Sequence, residues 1–150
     1  MKHVVQDVGS GRTTVAETPW PAPSQGGVLV ALRASLVSAG TERYVVDLAR
    51  KSLVGKARQR PDHVKRVLQK VRAEGLRATF EQVQAKLDEP MPLGYSAAGV
   101  VLACGAGVAD FKPGDRVAAA LPHASAGVIG RNLCARIPEG VSFESAAYTS

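Results

Sequence analysis

Apolar residues recur along this chain in two rhythms, and the change from one to the other divides it. Residues 97–104 and 117–121 are Val/Ala-rich runs too short for ordinary helices and bounded by turn residues, so they read as buried strands. Between them stand Gly105, Gly107 and then Lys112-Pro113-Gly114-Asp115. Proline presets φ at the second position of a turn and glycine takes the positive φ that a type II turn needs at its third. Residues 28–37, VLVALRASLV, follow Gly26-Gly27 and predict a long core strand. Residues 2–7 predict an opening strand that turns at Gly9-Ser10-Gly11 and returns over 13–17. Pro19, Pro21 and Pro23 keep 18–25 out of helices and central strands. Past residue 121, a further short strand is expected within 122–129. Residues 132–137 lead into a Pro138-Glu139-Gly140 turn, and Ser142 is placed to cap a helix opening with Phe143 and Glu144.

From Thr41 to Pro90 the period becomes helical. Thr41 can cap a helix with Val45, Leu48 and Ala49 at i, i+3, i+4 and Leu53 a turn beyond. Pro61 suits a first helical position, Val64, Val67, Leu68 and Val71 follow at helical spacing, and Gly75 stops that helix. Thr79 with Gln82 has the form of a capping box ahead of a Phe80, Val83, Leu87 stripe, closed by Pro90. Each helix has about 12 residues, marginal alone, so the stripes are expected to pack on each other or on the domain.

The glycines and turns also carry a resemblance. Leu93, Gly94, Gly99, Val100, Val101, Gly105, Gly107, Val108, Phe111 and residues 112–117 (KPGDRV) resemble the signature of the medium-chain dehydrogenase/reductases in their N-terminal, GroES-like domain. The Pro-rich link and the VLV strand fit the same pattern. The fold this implies is mainly β, α+β overall: a partly open antiparallel barrel with a helical insertion at about 42–90. Residues 1–150 would be the substrate-side domain, a fragment lacking the Rossmann NAD(P)-binding domain to which the family continues. The insertion, with SAGTE before it and LGYSAAG after it, is most similar to the zinc-free module of bacterial two-part oxidoreductases that also carry a Gfo/Idh/MocA-type region.

The resemblance assigns the chemistry by position. Zinc-binding relatives read Cys-Gly-Thr-Asp where this chain has Ala39-Gly40-Thr41-Glu42, and Gly-His-Glu where it has Gly94-Tyr95-Ser96. A methyl group cannot ligate a metal and neutral hydroxyls match zinc poorly. The expectation is therefore no zinc, with NAD or NADP in the full-length protein and none held by this fragment. The site residues implied are Ser38, Thr41, Glu42, Tyr95 and Ser96: tyrosine or threonine donating a hydrogen bond to a carbonyl or hydroxyl substrate, sugar-related in some relatives, and Glu42 relaying a proton. Read from the residues alone, Ser38 and Thr41 cap the next helix and Tyr95 packs on the barrel. Both readings stand at this point.

Composition narrows the alternatives. GSGRTT lacks the spacing of a phosphate loop, Gly105-Ala106-Gly107 is a lone GxG between strands, and no Ser/His/Asp spacing supports a hydrolase. His3, His63 and His123 are far apart in sequence, and pairing His123 with Cys104 or Cys134 finds no C-x-x-C or H-x-x-H spacing. Two cysteines in apolar surroundings, no apolar run of spanning length and an early polar N-terminus predict buried thiols in a cytoplasmic protein, with no membrane partner. The net charge of +6 is confined to residues 50–90, with eleven Lys/Arg against five Asp/Glu. Mixed signs without interleaved aromatics favour a solvated face over a nucleic-acid surface. The partners expected are a small substrate and the protein's own cofactor domain, and a homo-oligomer is compatible with this. The rival is a stand-alone binding or assembly module that holds an anionic partner on its basic helices.

Overall fold

The computed structural model describes residues 1–8, 10–50 and 61–149. Among them the strands are β1 (Lys2–Gln6), β2 (Thr13–Glu17), β3 (Gly27–Ser35), β4 (Met91–Pro92), β5 (Ala97–Cys104), β6 (Arg116–Ala119), β7 (Ala126–Gly130) and β8 (Cys134–Arg136). Three long helices, α1 (Ala39–Arg50), α2 (Pro61–Glu74) and α3 (Leu76–Asp88), fall between β3 and β4, and the short α4 (Phe143–Ala146) comes last. The architecture is mainly β, with open antiparallel sheets of the GroES-like partial barrel and a helical insertion. One sheet runs β7-β3-β5-β6-β8 and a smaller one β2-β1-β4. The chain divides into two compact units: Met1–Val4, Val15–Ala39 and Pro92–Ser150 in one, Val5–Thr14 and Gly40–Met91 in the other.

In the first unit, alternation along the strands sorts side chains into two cores. Val28 and Val30 of β3, Ala97 and Val101 of β5, and Val117 and Ala119 of β6 are buried together with Leu121. The intervening Ala98 and Ala118 face the other way and pack with Ile137, Ala146 and Ala147. With both faces covered, the central strands read as unbroken apolar runs. Gly99 is required by a close approach: a Cβ there would lie 2.1 Å from the Ala31 carbonyl oxygen on the paired strand. The Lys112–Asp115 turn forms as expected, with Asp115 N donating to Lys112 O at 3.1 Å and Gly114 at φ 93°. Asp115 pins it further, its carboxylate accepting from Lys112 N and from the Arg136 guanidinium. Arg116 reaches the Val141 carbonyl at 2.5 Å and lies over the Phe143 ring, tying α4 to β6. Ser142 caps α4 by accepting from Ser145 N.

The second unit holds the insertion, where three expectations change. α1 starts at Ala39, so Thr41 lies inside its first turn instead of capping it. α3 starts at Leu76 with Gly75 as its cap; the Thr79 hydroxyl bonds back to the Gly75 carbonyl at 2.9 Å and forms no capping box. Helix propensity decides this, because Leu, Arg and Ala extend the helix as soon as the glycine ends. α2 and α3 pack together, and α2 begins at Pro61 as expected, yet Leu76 and Phe80 stay 75% and 67% exposed. The stripe led by Phe80 is therefore not buried along its length. Leu53, and the side chains of Leu48, Ala49, Leu68 and Leu87, lie outside the described residues.

Candidate functional site

The ends of β3 and β5 meet close to three of the expected site residues, Ser38, Tyr95 and Ser96. Leu36 N donates to Ser96 O at 2.9 Å, and Ser35 pairs with Ala97 in the register. Ser38 follows two residues past Leu36, half-buried, and Tyr95 precedes Ser96. The structure thus brings Ser38, Tyr95 and Ser96 to one end of the sheet, next to Ala39. Thr41 and Glu42 follow in the first turn of α1, Thr41 exposed and Glu42 half-buried.

Tyr95 and Ser96 differ in what they can reach. Tyr95 is 42% exposed, so its phenol meets solvent. Ser96 is 1% exposed, and its hydroxyl donates to the Ala147 carbonyl at 2.5 Å. That bond satisfies an acceptor left over at the C-terminal end of α4.

Behind Tyr95 sits a residue that spacing did not single out as part of this site. His123 is 9% exposed, and its Nδ1 lies 2.9 Å from Ser35 Oγ. Its backbone is held on both sides, N donating to Leu93 O at 2.8 Å and O accepting from Val4 N at 2.9 Å. The imidazole lies across Gly94: a Cβ there would come within 2.7 Å of three ring atoms, and Gly94 has φ 83°. Both facts demand glycine just before Tyr95. His3 and His123, remote in sequence, line one shallow depression of about 230 Å³ with Lys2, Val4, Val15, Ala124 and Ser125. Among the described residues no three His, Cys, Asp or Glu gather as a metal site.

The cysteines pack on the larger core. Both are free and half-buried. Burial, with the neighbouring Cys104 adding to it, pushes the Cys134 thiol up to about 11. Glu144 is held below the usual carboxylate range by its own backbone N–H and the Ser142 hydroxyl.

Residues 65–142 match the model of the alcohol dehydrogenase GroES-like domain. The chain belongs to that family. A partially reducing polyketide synthase of Menisporopsis theobromae is 47% identical to it over 57 residues, which make up 37% of this chain and 2% of the synthase. The GroES-like fold recurs in the quinone oxidoreductase of Pseudomonas syringae pv. tomato (TM-score 0.63, 22% identity, 97% of this chain and 36% of that one). It recurs in the Escherichia coli quinone oxidoreductase complexed with NADPH (0.63, 20%, 100% and 37%). The galactitol-1-phosphate dehydrogenase of Escherichia coli has it as well (0.64, 19%, 99% and 41%). The GroES-like chain thus spans well under half of each of these relatives. Among its described residues no helix is long and apolar enough to cross a membrane.

Proposed function

We propose that this GroES-like domain is the substrate-side part of an NAD(P)-dependent oxidoreductase acting on a carbonyl or hydroxyl compound, and that its reaction needs no zinc. The observation that carries the reading is the solvent-facing Tyr95 phenol at the sheet end, in the position where zinc-binding relatives carry a ligand histidine. Ala39 and Ser96, at two further ligand positions, offer a methyl group and a hydroxyl already given to Ala147. Polarisation of the substrate oxygen then falls to hydrogen bonds, with Tyr95 and Thr41 as donors, Ser38 as a further hydroxyl and Glu42 as a proton relay. Ser96 serves by anchoring the strand that presents Tyr95.

The Gly105-Ala106-Gly107 loop does not fit a dinucleotide. Gly105, the first glycine of its GxG, is needed for a close approach, since a Cβ there would lie 1.8 Å from the Ser24 carbonyl oxygen. Gly107 closes a turn in which Val108 N donates to Gly105 O at 3.3 Å, and no helix follows it before β6. In this reading the cofactor is held by a following domain of the same protein, as the length of the relatives suggests.

The test is NADH and NADPH oxidation by the full-length protein with benzoquinone, cyclohexenone and cyclohexanone, before and after dialysis against a chelator. Turnover that survives dialysis is expected. Turnover lost with the chelator and restored by zinc removes the zinc-free mechanism.

A further inference from the structure

We propose that Ser35 is a second substrate-facing hydroxyl of this site and that His123 is the buried residue that positions it. The inference rests on the reading that Tyr95 faces the substrate. An exposed serine ordinarily samples its staggered rotamers, and a hydroxyl that must first be ordered is a poor donor. Ser35 is exposed, yet its oxygen lies 2.9 Å from Nδ1 of a buried ring packed against Gly94. The ring is 9% exposed, clamped through its backbone to Leu93 and Val4, and laid on the α-carbon of Gly94. The order is therefore passed from a fixed imidazole to a surface hydroxyl. Because Ser35 pairs with Ala97, that hydroxyl is held at the same sheet end as Tyr95.

The pairing also says what kind of oxygen it suits. When Nδ1 carries the proton, it donates to Ser35, whose own O–H can then donate to a substrate carbonyl. When Nδ1 is bare, Ser35 donates to it and turns its lone pairs outward to accept from a substrate hydroxyl. A carbonyl and the alcohol formed by its reduction present these two faces in turn. Tyr95 and Ser35 together would give the substrate oxygen two hydrogen-bonding groups in place of a metal.

Variants of the full-length protein separate the hydrogen bond from the packing, using whichever of the three carbonyl compounds above is turned over fastest. Ser35→Ala removes the hydroxyl. His123→Phe keeps a ring on Gly94 but loses the bond, and His123→Asn keeps a polar atom near Nδ1 but loses the ring. Ser35→Ala and His123→Phe should each lower kcat about 10-fold or more with KM within about twofold, as expected for a group acting in the transition state. Their double variant should be no slower than the slower single one. His123→Asn should recover most of the rate even if its melting temperature falls. Unchanged kcat in Ser35→Ala overturns the inference and leaves the Tyr95 reading standing. So does a His123→Asn protein that is folded but as slow as His123→Phe. Absence of turnover with all three compounds brings down the functional reading, and this inference with it.

Discussion

Tyr95 and Ser96 were both candidate site residues in the sequence, and burial separates them: the phenol is open to solvent, the hydroxyl is spent on Ala147. If Tyr95 and Thr41 stabilise developing charge, Tyr95→Phe and Thr41→Val should each lower kcat of the full-length enzyme about 10- to 1,000-fold. Normal turnover in both variants would return the two residues to packing roles. Tyr95 could be proposed from the sequence because a family pattern marks its position. The Ser35–His123 pair could not, because its partners are 88 residues apart and no local spacing joins them. What the sequence did hold was Gly94, whose need for glycine becomes explicable only once the ring lying on it is seen. Cys134 gives a prediction in pH. Its thiol ionises near 9 in the unfolded chain and near 11 when folded, so the folded state keeps a proton that the unfolded state releases. Its contribution to stability is intact below pH 9 and is lost as pH rises toward 11. Urea unfolding from pH 8 to 11 should show a steeper alkaline loss for the parent protein than for Cys134→Ala. Parallel curves would mean that burial does not perturb this thiol.

At the scale of elements, strands were legible, and so were the helix bounds set by Pro61, Gly75 and Ser142, but the starts expected at Thr41 and Thr79 were not. A strand in this fold is an apolar run fenced by Gly and Pro, and β2 and β5 fall within the bounds that pattern gives. Helix starts depend on which group satisfies the first backbone N–H donors, and cap signals at Thr41 and Thr79 lost to earlier starts at Ala39 and Leu76. The KPGDRV segment shows why a motif can outlast its surroundings. Asp115 closes the turn and holds Arg136, while Arg116 holds both the Val141 carbonyl and the Phe143 ring. Arg116→Lys keeps the charge but loses the planar fork and its stacking, so it should destabilise the domain by about 1–3 kcal/mol in urea unfolding. A change within about 0.3 kcal/mol would show that the two contacts are offset by the cost of ordering them.

For the whole molecule, the expectation is a domain that works only when joined to another. Titrated with NADPH, this chain alone should show no binding tighter than about 1 mM, or roughly −4 kcal/mol. Micromolar binding would mean that it holds the cofactor itself. Tight, salt-sensitive binding of an anionic macromolecule by residues 61–88 would instead favour an assembly module. The same connectivity bears on how the chain is made. β3 has its neighbours in β5 and β7, both encoded after the helices, and 61 residues separate the end of β3 from the start of β5. At ordinary elongation rates, β3 leaves the ribosome about 3–12 s before either partner exists. Throughout that interval the run that buries Val28 and Val30 has no edge to pair with. The helices made in the meantime depend on local contacts and can form at once. The interval in which this protein is most exposed to aggregation is thus set by the length of its insertion, and a nascent-chain chaperone should find its first binding site at β3.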